Sequence, residues 1–425
     1  MSETPGDLAA WLDFISLQHS KEIELGLERL SLVAEQLKLR PFKCPLITVA
    51  GTNGKGSSVT ALERIYTAAG YRTGCYTSPH LTTYNERIRL QRDFVTDEML
   101  CEAFHRINTA RDDIPLTYFE FSTLAAFIIF QKFEPDLVLL EVGLGGRLDA
   151  TNLYPADIAL ITSIGIDHAD WLGNDRETIA IEKAGIIHPG KTVVIADPEP
   201  PQSLLKIAHD RAGAVFQLNR DFHYDLMESA WNWHCNQKDL IAMPLPGLHG
   251  HAQLNNIAGV IMSVMALQRD LPTDDEILRE TLPELTLAGR FQVIDGTPLL
   301  VLDVAHNPDS TALLAENLRG QNCAGETFAV VAMLKDKDIE MSLSNLRSNI
   351  DRWYVAGLTV ARGESENNIR NIIQKIDPGK SVHVFATVEE AWQQAVKQSS
   401  SIDRVVGFGS FHTVGAIICD LARTR

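Results

Sequence analysis

The sequence predicts an α/β protein with a mainly parallel sheet, followed by a second, smaller α/β unit. Three observations predict it. Short apolar, β-branched runs alternate with stretches of helical spacing along the chain. Several of those runs end on glycine-rich or acidic turns, where open α/β sheets hold their ligands. The first run, residues 46–50, leads straight into Gly51-Thr52-Asn53-Gly54-Lys55-Gly56-Ser57 and then a helical stretch.

That loop reads as a phosphate cradle of the P-loop kind. Its glycines let the backbone wrap an anion, and the following helix, expected over residues 58–66 with Gly70 ending it, directs N–H groups and its dipole at the same point. Lys55 is placed to neutralise the outer phosphates and the Ser57 hydroxyl to hold magnesium. The common nucleotide-loop pattern has Gly where this chain has Val49, and Ser or Thr where it has Gly56.

The chain has 425 residues and a formal charge of −17, with 45% hydrophobic and 22% charged residues. That length allows two or three domains. The acidic balance disfavours a nucleic-acid partner, so anionic substrates must be met by a few placed cations. The longest apolar stretch, residues 257–267, is too short to span a bilayer, and residues 1–4 lack signal-peptide character. Cysteines 44, 75, 101, 235, 323 and 419 form no Cys-x-x-Cys pair, so reduced thiols and a cytoplasmic location are expected.

Residues 7–39 have helical periodicity, interrupted at Gly26. A strand is expected over 72–76, ending at Ser78-Pro79-His80, where Ser78 and His80 either serve the site or cap the next element. Residues 116–121 lead into an apolar helix over 122–131. A buried strand over 136–141 closes on Glu141, and another over 158–164 leads to Asp167-His168. Any one such acid or histidine is usually a solvated or satisfied group. Three strand ends in register, at 51–57, Glu141 and Asp167/His168, point instead to one site. Lys183 either pairs with Glu182 at a surface or serves that site. Residues 193–196 are the next strand, 222–245 read as short irregular strands without chemistry, and 253–268 as a strong helix. After a linker at 287–290, strands are expected over 299–303, 328–333, 353–356, 382–385 and 405–408, giving domains 1–287 and 288–425.

The chain resembles the folate branch of the Mur ligase family, the dihydrofolate synthase/folylpolyglutamate synthases, over nearly its whole length. The resemblance rests on Gly51-Thr-Asn-Gly-Lys-Gly-Ser57, Ser78-Pro-His-Leu81, Tyr118-Phe-Glu120, Glu141-Val-Gly-Leu-Gly-Gly-Arg-Leu-Asp-Ala-Thr-Asn152, Asp167-His168, Glu182-Lys-Ala-Gly-Ile186, Gly289-Arg-Phe291, Asp303-Val-Ala-His-Asn-Pro308 and Gly409-Ser-Phe-His412. It implies a Mur-ligase-like ATP-binding domain and a Rossmann-like C-terminal domain, with ATP between them. Gly54, Lys55, Gly56 and Ser57 then hold phosphates, with Asn255, Arg290 and Asp303 completing the nucleotide site and His306 nearby. Magnesium falls to Ser57, Ser78, Glu141 and His168. Lys183 matches a lysine that is often carbamylated; unmodified, it is an ammonium that contacts phosphate. Lys55, Lys183, His168 and His306 are the catalytic candidates. The pterin substrate falls to Glu24, Leu25, Gly26 and Leu27, to Thr117, Tyr118, Phe119 and Glu120, and to Leu148, Asp149 and Ala150.

The implied reaction joins L-glutamate to dihydropteroate and to the γ-carboxylate of reduced folates through an acyl phosphate, in a monomer. The absence of a Ser-His-Asp pattern fits chemistry that needs no protein nucleophile. Three alternatives stay open: a ligase that only extends polyglutamate tails, a cell-wall amino-acid ligase, and a non-catalytic nucleotide binder. A cell-wall ligase normally carries a sizeable domain for its UDP-sugar substrate before the first strand, and here only residues 1–46 precede it.

Overall fold

The computed structural model describes residues 5–21 and 23–424; the signal-peptide reading of residues 1–4 lies outside them. The chain divides into two compact units. The first comprises Met1–Ile166, Leu172–Pro246 and Gln253–Leu285, and the second Asp167–Trp171, Gly247–Ala252 and Thr286–Arg425.

In the first unit the strands are β1 (Leu46–Ala50), β2 (Thr73–Tyr76), β3 (Ile88–Leu90), β4 (Asp93–Phe94), β5 (Leu137–Glu141), β6 (Ile158–Ile161), β7 (Thr192–Ile195) and β8 (Ala214–Gln217). They form one sheet in the order β4-β3-β2-β5-β1-β6-β7-β8. All pairs from β2 to β8 are parallel, and β3 and β4 add an antiparallel edge. Every residue of β1 and of β5 is buried. These strands therefore read as continuous apolar runs, as expected of a sheet covered on both faces.

The sequence places most of these elements within a residue or two, and the differences have local causes. The helix expected from residue 122 starts at Tyr118 and runs to Phe133. Thr117 caps it, accepting from the Glu120 N–H, while Glu120 accepts from the Thr117 N–H, so this reciprocal cap starts the helix four residues before the expected position. The phosphate-loop helix likewise begins at Lys55, with Gly54 as its N-cap. The break in residues 7–39 is longer than one glycine, separating the helices Leu8–Ser16 and Glu28–Gln36. Against the inner side of Tyr118–Phe133 packs an aromatic cluster: Phe127 lies 5.4 Å from Phe42 edge-on and 5.5 Å from Tyr154 in a stacked pair.

Residues 222–245, read from sequence as short irregular strands, form a three-stranded antiparallel sheet of β9 (Phe222–Leu226), β10 (Ala230–Cys235) and β11 (Lys238–Pro244), with one register shift between Trp231 and Trp233. Alternation reveals the reason: Trp231 and Trp233 are buried while the residues between and beside them face outward. Trp233 donates its indole N–H to the Ala258 carbonyl of the helix His251–Ala266, which ties this sheet to the rest of the unit.

The second unit carries β12 (Gln292–Ile294), β13 (Leu299–Asp303), β14 (Thr327–Val331), β15 (Arg352–Ala356), β16 (Ser381–Phe385) and β17 (Arg404–Phe408), ordered β12-β13-β17-β14-β15-β16. Only β12 is antiparallel. Helices alternate with these strands in the chain, as parallel neighbours require.

Phe127→Ala should destabilise the chain by about 3–5 kcal/mol, because it empties the centre of that aromatic cluster. The shift of the urea unfolding midpoint checks it.

Candidate active site

The phosphate loop leaves β1, whose neighbours are β5 and β6, and it has no room for side chains at two points. A Cβ on Gly51 would lie 1.7 Å from Thr162 Oγ1, and one on Gly54 would lie 2.5 Å from the Asn256 side-chain amide. Gly54 also has φ +88°, a conformation that costs glycine little. Hydrogen bonds from the loop after β6 hold this shape: the Thr52 N–H donates to the Ser163 carbonyl, and Thr162 Oγ1 donates to the Asn53 carbonyl at 2.7 Å. Sequence reading missed Thr162, Ser163 and Asn256, which lie outside the loop motif.

Two lysines converge on one carbonyl of this loop. Lys55 Nζ donates to Gly51 O at 2.9 Å and Thr52 O at 3.1 Å. Lys183, buried, donates to the same Gly51 oxygen at 2.9 Å. Lys183 is therefore not the surface partner of Glu182, which instead pairs with Arg147 at 2.9 Å. Alternate faces of the helix Arg176–Lys183 explain the split. Ser57 Oγ is buried without a hydrogen-bond partner. A buried hydroxyl costs stability unless something engages it, and beside a phosphate cradle an Mg2+ ion fits that requirement. Glu141, nearly buried at the end of β5, accepts from the Ser78 N–H at 3.1 Å, so those two metal candidates are neighbours. Asn255 accepts from the Tyr224 hydroxyl at 2.8 Å.

The three stretches expected to meet the pterin come together. The Gly26 N–H donates to the Leu148 carbonyl. Arg29 bridges Glu24 and Glu120, at 3.0 Å to each. The Phe119 ring covers Gly143, where a Cβ would approach it to 2.6 Å, and lies 5.9 Å from Tyr76. Arg87 sits over the Tyr118 ring at 5.6 Å. Asp149 turns inward: it accepts from the Leu144 N–H and from the Thr151 N–H and hydroxyl, so it shapes the loop after β5. Burial pushes its pKa up, against those hydrogen bonds.

The remaining candidates belong to the second unit. Asp167 accepts from Lys337 Nζ at 2.6 Å and from the Asn307 side-chain amide at 3.0 Å, and lies 3.5 Å from His306 Nε2. Burial alone would raise its pKa, but His306, Lys337 and His168 hold it well below the ordinary carboxylate range. His168 has φ +52° and its Nε2 lies 3.4 Å from Lys337 Nζ. His306 Nδ1 lies 2.7 Å from the Val304 carbonyl, which only accepts, so Nδ1 carries a proton and donates it there. Asp303 accepts from the Phe291 and Ala305 N–H groups; burial raises its pKa while the charge of Arg290 opposes that. Arg290 in turn lies over the Phe411 ring at 5.0 Å. Lys337 was not singled out from sequence, where nothing distinguishes it from Lys335 two residues earlier.

Residues 289–411 match the Mur ligase, glutamate ligase domain. The dihydrofolate synthase/folylpolyglutamate synthase of Escherichia coli strain K12 is 39% identical over 414 residues, covering 97% of this chain and 94% of the relative. The chain belongs to the dihydrofolate synthase/folylpolyglutamate synthase family. The Haemophilus influenzae member is 38% identical, with 96% of each chain covered. Among solved members of the family, E. coli FolC in complex with DHPP and ADP superposes with a TM-score of 0.94 at 38% identity, over 100% of both chains. A bifunctional folylpolyglutamate synthase/dihydrofolate synthase with Mn, AMPPNP and L-glutamate bound gives 0.90 at 42% identity, over 99% of this chain and 100% of the other.

Lys337→Ala should cost about 3–5 kcal/mol by leaving Asp167 buried without its cation. Lys337→Arg should recover most of that loss, as measured by chemical denaturation.

Proposed function

We propose that this chain is a bifunctional ATP-dependent ligase, joining L-glutamate to dihydropteroate and to the γ-carboxylate of reduced folates. The observation that carries it is the phosphate loop with Ser57 Oγ buried and unsatisfied, in a chain whose family members are named for both activities. The relatives solved with DHPP and ADP, and with Mn, AMPPNP and L-glutamate, support the same substrate set.

A carboxylate does not accept an amine directly, since its negative charge repels the lone pair. Its oxygen first attacks the γ-phosphorus of ATP, forming an acyl phosphate and releasing ADP. The neutral amine of glutamate then attacks the acyl carbon, the amine loses a proton, and inorganic phosphate leaves. Gly54, Lys55, Gly56 and Ser57 hold and neutralise the phosphates, so catalysis is chiefly positioning and electrostatics. Ser57, Ser78, Glu141 and His168 are assigned as the magnesium ligands, and the ion supplies charge neutralisation at the transferring phosphoryl group. Lys183 joins Lys55 at the Gly51 carbonyl and either contacts phosphate as an ammonium or, carbamylated, acts as an anion on the metal side. Roles at the nucleotide for Asn255, Arg290 and Asp303, and in catalysis for His306, rest on the family resemblance.

The residues 24–27, 117–120 and 148–150 form the proposed pterin site, with Arg29 tying together Glu24 and the buried Glu120. No helix among the described residues is long and apolar enough to cross a membrane. The free cysteines and the soluble substrates support a cytoplasmic reaction. The proposed domains are residues 1–287, with the phosphate loop and the pterin site, and residues 288–425, the Rossmann-like ligase domain that carries Arg290 and Asp303.

Lys55→Ala should lower kcat by roughly 10²–10³-fold, as loss of a preorganised charge at the transition state does. Ser57→Ala and His168→Ala should raise the magnesium concentration needed for half-maximal turnover, read from phosphate release against MgCl2. The deciding measurement is mass spectrometry of ATP- and glutamate-dependent product, with dihydropteroate and tetrahydrofolate supplied separately. Product from both is expected. Product from tetrahydrofolate alone would reduce the chain to a tail-extending ligase.

A further inference from the structure

We infer that the outer face of the β9–β11 sheet carries a zinc-class metal site formed by His223, Asp225 and His234, with Asp239 positioning His234. None of these residues takes part in the ligase chemistry above, and two imidazoles do not suit the oxygen-preferring magnesium of that reaction.

The strand register creates the cluster. His223 on β9 and His234 on β10 are directly opposed, with ring centroids 4.9 Å apart and planes inclined by 20°. Asp225 lies two residues along β9 from His223 and so projects to the same face. His234 is also opposed to Asp239 on β11, and its Nδ1 lies 2.8 Å from Asp239 Oδ1. One donor atom from each of His223, Asp225 and His234 lies within 4.8 Å of the others.

The electrostatics of His234 define what belongs at the centre. A carboxylate only accepts, so Nδ1 must donate to Asp239, which leaves Nε2 with the lone pair in the neutral ring. Nε2 faces Asp225 Oδ2 at 3.4 Å. Two acceptors facing each other at that distance need a positive charge between them, either a proton on Nε2 or a metal ion. Zinc bonds of about 2.0–2.1 Å in a tetrahedron set neighbouring ligand atoms roughly 3.3 Å apart, close to this separation. His223 is exposed, so its ring can turn to close the third edge without disturbing the core. A carboxylate that orients the far nitrogen of a ligating histidine is the usual support of such a site. Three protein ligands leave the fourth position to water.

The test uses the full chain with excess MgCl2 and ZnCl2 as probe. Equilibrium dialysis should show one more zinc equivalent on the unsubstituted protein than on the His223→Ala/His234→Ala variant. Co2+ in place of Zn2+ should give visible absorption bands that the double variant lacks. Asp225→Asn, nearly isosteric, should lose the same equivalent while leaving the sheet intact by circular dichroism. Asp239→Asn should weaken binding by about 10–100-fold. Equal uptake by the unsubstituted and doubly substituted proteins would overturn the site, and so would no uptake by either. In that last case a proton on His234 Nε2 joins the two carboxylates. Unchanged affinity in Asp239→Asn would remove Asp239 from the proposal.

Discussion

The arrangement depends on how closely the backbone of the phosphate loop approaches the chain after β6 and the helix His251–Ala266. Gly51 lies against Thr162 and Gly54 against Asn256, with no volume for a methyl group at either. Because β1 lies between β5 and β6, the same approach that shapes the loop also sets the ends of those strands beside it. Glu141 thus reaches the Ser78 N–H, and Lys183 reaches the Gly51 carbonyl. The shape of the loop and the close setting of the groups around it, which we propose hold phosphate and its counter-ion, go together with this steric constraint in the parallel sheet.

Polar order around the pterin candidates arises differently. There the groups are tied by long-range charge, with one guanidinium serving two carboxylates from separate stretches of chain. The aromatic rings of Tyr118 and Phe119 are set by a capped helix start, so the register of that helix decides which ring meets which surface. Packing of Phe127 deeper in the same helix holds that register.

Much of this was legible in the sequence because it is local. Apolar β-branched runs reported the buried parallel strands, and the glycines of the loop motif reported its close-packed backbone. Less legible were features that depend on pairing across the chain. β3, β4 and β12 are short antiparallel edges with too few residues to show a period, and β9–β11 pair into one antiparallel sheet behind polar outward faces. Likewise Asn256 and Lys337 gain their importance from partners far away in sequence, and Arg29 joins its near neighbour Glu24 to the distant Glu120. The early start of the helix at Tyr118 was missed for another reason: its cap is polar, and hydrophobic periodicity is blind to caps.

The second unit is assembled from three separate lengths of chain, and its buried lysine meets an acid that precedes it by 170 positions. During synthesis that acid emerges well before the strands it will join, inside the span that builds the first unit. The second unit can therefore reach its final charge balance only after most of the polypeptide exists. A fragment cut at the apparent boundary near residue 286 would retain the lysine and lose its counter-charge. In this chain, a domain that looks like a module in the sequence is not one in its electrostatics.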